Sequence, residues 1–465
     1  MALTKVTPDM IEGDFPFNRI NGLPFSVLDY GADPTGAMDS TAAINAAIVA
    51  ANSAGGGTVY FPAGLYIIGT TTHVVMLSNV SLVGDGWSSK IKLADNTPIL
   101  ASISALTATA RTNIGVRNLY FDGNRANQTN LVGLFRFDNC THIEVRNTMM
   151  VNCNNVCVYF VNGCSHVSCN NNIMVDSNGT NIKVGHESSD VVISGNLLYD
   201  TGAFTTHYDG FIMTRFGTTG QKNIVISNNN MISPNGSGLE LGIWLISGNN
   251  ITVTGNTIDV GGTAVSGVFI DAEAVMRDIT VSGNAIYGST GALTAVRVIE
   301  RSAGKNISRL TISGNTIRGL VSTAISVVPT YVSTFSEVSI TGNSVNTTMD
   351  GAADKGILIA SEGAVISGNT INMTGTGAGD GISSSLPLVT ITGNNINMNG
   401  IGSRGIVTFG SYTNITGNIV KGTASYGIRC DATTDYVAVV GNVLNSCALG
   451  ILNGGANSVT ASNVV

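Results

Sequence analysis

Ile193-Ser194-Gly195-Asn196 returns as Val253-Thr254-Gly255-Asn256, Val281-Ser282-Gly283-Asn284, Ile312-Ser313-Gly314-Asn315 and Ile340-Thr341-Gly342-Asn343. It returns again as Ile366-Ser367-Gly368-Asn369, Ile391-Thr392-Gly393-Asn394, Ile415-Thr416-Gly417-Asn418 and Val439-Val440-Gly441-Asn442, with Ile226-Ser227-Asn228-Asn229 as a variant. From Asn196 to Asn442 the steps are 33, 27, 28, 31, 28, 26, 25, 24 and 24 residues. A loose but persistent period of this size announces a solenoid, in which each unit packs only on its neighbours.

Each repeat carries two short alternating runs, such as Gly356-Ile357-Leu358-Ile359 followed by Ala364-Val365-Ile366. Apolar residues at every second position belong to strands with one buried face, and no run is long enough for a core helix. The expected unit is therefore one coil of an all-β parallel β-helix. Its corner falls at the Gly-Asn pair, because Gly tolerates positive φ and Asn is among the few other residues that do. Corners that superpose let the Asn amides stack into a ladder, so these asparagines read as structural.

Composition narrows the function classes. Glycine supplies 57 of 465 residues and charged residues only 11 %, so Gly, Asn, Ser and Thr take over the surface. A net charge of −7 with pI near 5.2, and no basic stripe, argues against nucleic acid as a partner. The opening residues lack the apolar core of a signal peptide, and no stretch is long and apolar enough for a membrane span. The expectation is a protein made in a host cytoplasm, with neither nucleic acid nor membrane as partner and with no cofactor.

Seven cysteines form no disulfide framework. Asn139-Cys140-Thr141-His142 and Gly163-Cys164-Ser165-His166 lie 24 residues apart, which is one coil, so like should stack on like. A zinc site needs a converging tetrahedral set, and the expectation is no metal.

Three segments follow. Residues 1–24 lack periodicity and read as an extended arm, either a disordered terminus or an attachment segment. Residues 25–112 hold the cap and first coils, and residues 113–465 the β-helix. In the cap, Asp39 or Ser40 can open a helix whose small apolar face is Ala43, Ile44, Ala47, Ile48 and Ala51, and Gly55, Gly56 and Gly57 stop it. Such a helix plugs the end of a solenoid.

The run Val27-Leu28-Asp29-Tyr30-Gly31-Ala32-Asp33, then Thr35-Gly36, Asp39-Ser40-Thr41-Ala42-Ala43-Ile44 and Gly55-Gly56-Gly57-Thr58-Val59-Tyr60-Phe61-Pro62, resembles the N-terminal cap of the pectate-lyase-like superfamily. That superfamily of right-handed β-helices includes polysaccharide lyases, pectin hydrolases and bacteriophage tailspikes. The opening Ala2-Leu3-Thr4-Lys5-Val6-Thr7 resembles the start of phage tail spikes and fibres. The resemblance implies a right-handed parallel β-helix, a homotrimer, and a place on a virion tail, joined to a tail or adaptor protein through the N-terminal arm. It carries over no catalytic residue. Of the pectin hydrolase motifs only Gly185-His186-Glu187 comes near Gly-His-Gly, and it breaks at the third position.

Candidate chemistry comes from alternation. If Ile182, Ile243, Val268, Val296 and Ile357 point inward, then Lys183, Trp244, Phe269, Arg297 and Leu358 point outward on one sheet. Exposed Trp244 and Phe269 suit the flat apolar faces of sugars, though such rings also suit a subunit interface. The column continues to Asp271 and Glu273, and to Glu300 and Arg301 one coil later, with His186, Glu187, Arg215 and Glu240 in earlier coils. Asp271 with Glu273 fits the acid and base of glycoside hydrolysis, and the plainer reading is a salt bridge from Glu273 to Arg301. Asp209 belongs to a rival set in the longest step, beside Asp200, His207 and Arg215.

The expected function is a tailspike that binds and hydrolyses a bacterial surface polysaccharide. The alternatives are a lyase, with Lys183, Arg215, Arg297 or Arg301 neutralising a uronate, and an adhesin that only binds glycan.

Overall fold

The alternating runs become strands of two to seven residues, and the strands sort into sheets. A computed structural model describes residues 24–98, 104–199, 210–215, 220–233, 241–260, 266–288, 294–320, 322–331, 335–349, 354–375, 377–398 and 404–465. Among these residues the strands form three sheets of 17, 16 and 15 members, paired in parallel from coil to coil. The molecule is a parallel β-solenoid, and each coil gives one strand to each sheet.

Register superposes the inward residues. In the first sheet Ile226, Val253, Val281, Ile312, Ile340, Ile366, Ile391, Ile415 and Val439 lie one above another. In the third sheet Ile243, Val268, Val296, Ile325, Ile357, Ile382, Ile406 and Ile428 do the same. All are fully buried in one continuous core, and each such side chain contributes about 1.5–3 kcal/mol. The coil is thin enough that Gly381 is obligatory where two sheets meet: a Cβ there would lie 2.5 Å from Ile396 Cγ2 and 2.6 Å from the Gly405 carbonyl.

The asparagines form the expected ladder. Asn172, Asn196, Asn229, Asn256, Asn284, Asn315, Asn343, Asn369, Asn394, Asn418, Asn442 and Asn463 each donate, or accept, through the side-chain amide of the next coil at 2.9–3.0 Å. The second hydrogen of Asn284 Nδ2 reaches the Val253 carbonyl at 3.0 Å, and the Asn256 main-chain N–H donates to Asn284 Oδ1 at 3.0 Å. One detail differs from expectation. Positive φ belongs to the residue before the ladder, Gly195 at 66° or Asn228 at 54°, and not to the ladder asparagines themselves. The corner divides its labour: one residue turns the chain and the next satisfies the buried polar groups that the turn exposes.

The helix Thr41–Ser53 buries Ile44, Ala47, Ile48 and Ala51 against the first coil. Its opening N–H, from Thr41, goes to Asp39 Oδ1 at 2.7 Å. Asp33 accepts from Thr35 N at 2.9 Å, Thr35 Oγ1 at 2.7 Å, Ala37 N at 2.8 Å and Met38 N at 2.7 Å. The Thr35 hydroxyl and amide, with the Met38 and Ala37 amides, hold the Asp33 carboxyl down at about 2 against the cost of desolvation. These acids are turn and cap residues.

Cys140 and Cys164 sit one coil apart as expected, and the His142 and His166 rings stack at 4.7 Å and 12°. All seven cysteines are free, and burial pushes the Cys164 and Cys169 thiols up to about 12. Among the described residues no three His, Cys, Asp or Glu side chains gather as metal ligands, and no helix is long and apolar enough to cross a membrane.

Candidate functional site

On the outer face of the third sheet, register aligns Arg136, Tyr159, Lys183, Met213, Trp244, Phe269, Arg297, Ser326 and Leu358 in one column. Like charges stacked at strand spacing, roughly 4.8 Å, would repel. Here rings separate them. The Arg136 guanidinium lies 5.2 Å and the Lys183 ammonium 5.3 Å from the Tyr159 ring centre. Trp244 and Phe269 stack at 6.1 Å and 15°, and Arg297 lies 5.3 Å from the Phe269 centre. Burial pushes the Tyr159 phenol up, opposed by Arg136 and Arg215. Each cation over a ring gains about 0.5–1 kcal/mol, more where water is excluded.

The centre of the face is one guanidinium with three partners. Arg301 Nε meets Asp271 Oδ2 at 2.5 Å, Nη1 meets Glu273 Oε1 at 2.7 Å, and the group lies 5.0 Å from the Trp244 ring centre. The Trp244 indole N–H also donates to Asp271 Oδ2, at 3.3 Å. Asp271 is 2 % exposed, so its charge depends on these partners, yet its Oδ1 has no hydrogen-bond partner. The salt bridge from Glu273 to Arg301 is present, and Asp271 shares it. The set offers a carboxylate acceptor, a guanidinium donor and ring edges side by side, which is the chemistry that recognises polyhydroxylated rings.

Other candidates fall elsewhere. Glu300 does not belong to the column: Val296, Val298 and Glu300 share the inward phase of the strand Thr294–Glu300. It accepts from the Thr330 and Tyr331 main-chain N–H groups at 2.9 and 2.6 Å, and so clamps the next coil's loop. Trp244 and Phe269 are less open than expected, with Phe269 8 % exposed under Arg297. His186 and Glu187 are exposed corner residues with φ of 51° and 66°, directly after the strand Ile182–Gly185. Arg215 lies opposite Gly185, and a Cβ at Gly185 would come within 3.3 Å of Tyr159, so this arginine adjoins the column. Asp209 and Glu240, with Asp200 and His207, lie outside the described residues. Arg136 and Tyr159 were missed by the sequence reading, although Val158 stands one 24-residue step before Ile182 and gives the same inward phase.

A family model described as rhamnogalacturonase A/epimerase, pectate lyase-like, matches residues 24–294, more than half of the chain. The chain belongs to this family. Its curated relatives include the mannuronan C5-epimerases AlgE3 and AlgE4 of Azotobacter vinelandii. AlgE3 is 40 % identical over 113 residues, 23 % of this chain and 6 % of its own. AlgE4 is 36 % identical over 118 residues, 24 % of this chain and 21 % of its own. The chain thus matches only a small part of either. Among solved structures, the surface adhesin PfbA of Streptococcus pneumoniae aligns with a TM-score of 0.56 at 17 % identity, over 90 % of this chain and 92 % of that one. A tailspike protein of E. coli bacteriophage HK620, in complex with pentasaccharide, aligns with a TM-score of 0.54 at 15 % identity, over 94 % and 80 %. At such identity the shared property is the pectate-lyase-like fold.

Proposed function

We propose that this member of the family is a bacteriophage tailspike that binds a bacterial surface polysaccharide along the outer face of its third sheet. The observation that carries the reading is the Arg301 cluster, where Asp271, Glu273 and Trp244 meet one guanidinium beside Phe269 and Arg297. A face with rings set between cations presents hydrogen-bond donors and apolar surface together, as a sugar requires. Trimeric assembly and attachment to a tail through residues 1–24 belong to the same reading.

Cleavage is the second reading, and one observation favours it: Asp271 and Glu273 share the Arg301 guanidinium, so two carboxylates stand together where a substrate that displaced this arginine would meet both. Hydrolysis would then use them as acid and base. Elimination at a uronate, helped by Lys183, Arg215, Arg297 or Arg301, is the other enzymatic route.

The test is adsorption of the purified chain to polysaccharides from candidate host bacteria, with Trp244→Ala beside it. Retention of one polysaccharide, lost in the variant, is the expected result. Adsorption to none of them by folded protein overturns the proposal. New reducing ends that disappear in Asp271→Ala and Glu273→Ala mark hydrolysis, and an absorbing unsaturated uronate marks elimination. Neither product with intact adsorption leaves an adhesin.

A further inference from the structure

Glu273 and Arg301 stand at the edge of the third sheet, and from each the chain runs into a corner loop. One loop is Ala274-Val275. The other, Ser302-Ala303-Gly304-Lys305-Asn306, belongs to the long step of 31 residues from Asn284 to Asn315. Main-chain bonds tie the two loops at both ends, Arg301 N to Ala272 O and Met276 N to Asn306 O, each at 3.0 Å. Between them lies an open cavity of about 540 Å³ whose wall includes Asn249, Val275, Arg277, Asp278, Lys305 and Arg309.

The charges of this corner do not cancel. Arg309 clamps Asp278 through Nε and Nη2, with Nη2 at 2.8 Å from Oδ2, and this pairing lowers the Asp278 carboxyl from its ordinary value. Glu337, one coil on, adds its field to Arg309. No carboxylate among the described residues forms an ion pair with Arg277 or Lys305. Arg277 acts on Asp278 only through its field, so the cavity wall carries three cations, Arg277, Lys305 and Arg309, against the one carboxylate of Asp278, in a chain whose net charge is −7. The corner is also preformed, since Asp278 and Arg309 both hold left-handed backbone, with φ of 59° and 54°. Val275, 42 % exposed, adds an apolar patch.

We propose that this corner is an anion-binding subsite that takes a carboxylate or phosphate carried by a sugar of the polysaccharide bound on the adjoining face. The proposal rests on the glycan-binding reading for its ligand, but the affinity for an anion rests on the corner alone. Arg277 and Lys305 donate to the anion, and Val275 meets the ring that bears it. An acidic polysaccharide is thereby selected over a neutral one.

Two measurements separate the subsite from the face. In the first, inorganic phosphate is the probe: it protects Lys305 from an amine-reactive ester, read by peptide mass spectrometry, while Lys421 reacts as before. Protection disappears in Arg277→Gln. Equal labelling of Lys305 with and without phosphate overturns the subsite, whatever the glycan result. In the second, a polysaccharide that the protein adsorbs is compared with its carboxyl-reduced and its phosphatase-treated forms, which distinguishes the two anions. Wild-type affinity falls about tenfold when the charged group is removed. The Arg277→Gln/Lys305→Gln double variant binds charged and uncharged forms alike, and Trp244→Ala weakens both equally. A double variant that keeps the full preference for the charged form overturns the proposal, and so does a wild type with no preference.

Discussion

The asparagine edge and the Arg301 face belong to the same coils and obey opposite rules. Along the edge the coils from Asn196 to Asn442 repeat the same buried side chain, with the amide bonded to its neighbours on both sides. Along the face no residue type repeats in succession from Arg136 to Arg297, and rings or Met213 stand between the cations. Identity between coils is favourable when the stacked group is neutral and carries both donor and acceptor, as an amide does. It is unfavourable for a charge, which needs an unlike neighbour at the same short spacing. Uniform columns therefore hold the solenoid together, while the mixed column sets cations against rings on the outer face.

The largest effect should come from breaking the uniform column. Asn284→Ala strands the Asn256 N–H and the Val253 carbonyl in the core, at about 1–3 kcal/mol each. Urea unfolding followed by circular dichroism should show a loss of about 3 kcal/mol or more, and an unchanged midpoint would mean that water or a neighbouring amide replaces the ladder. On the mixed column, Trp244→Ala should cost less stability than the ladder variant, about 1–2 kcal/mol with the bond to Asp271 lost, but lower polysaccharide affinity ten- to a hundredfold, the range of one well-placed aromatic anchor. Stability lost without a change in affinity would place Trp244 with the scaffold.

Arg297→Gln is a smaller probe, because it removes one cation from the Phe269 ring. Affinity should fall about threefold, the equivalent of roughly 0.5–1 kcal/mol, with this loss shrinking in high salt. A salt-independent loss would point to packing instead.

Acid should affect the cap by the smallest step. The folded carboxyl of Asp33 lies at about 2, below its unfolded value of 3.8, so its contribution is complete above about pH 4 and fades as pH falls toward 2. Hydrogen exchange at Ala37 and Met38 should accelerate across that window in the wild type. In Asp33→Asn it should be fast at all pH values, and identical profiles for the two proteins would remove Asp33 as the cap's acid-labile bond.

How much of this was legible depended on which rule a column follows. The Gly-Asn phrase betrayed the period because a buried amide ladder admits one residue type at each corner. The outward column from Lys183 to Arg297 followed from strand alternation once Ile182 and Val268 were set inward. The same alternation, carried three residues beyond Arg297, assigns Glu300 to the inward phase, and grouping it with its neighbour Arg301 concealed this. Arg136 and Tyr159 escaped because their coils precede the Gly-Asn phrase, with Asn147-Thr148 and Asn171-Asn172 at the corner instead. The cover that Arg301 lays on Trp244 could not be read at all, since it depends on how far one long side chain reaches across coils.

From Asn196 to Asn229 the backbone travels 33 residues, and from Asn394 to Asn418 only 24, yet the amide contact closes at 2.9 Å in both. The pitch is thus indifferent to the length of the detour taken between corners. A lineage of such proteins can lengthen, trim or exchange its outer segments to follow a changing target, and the axis beneath needs no retuning.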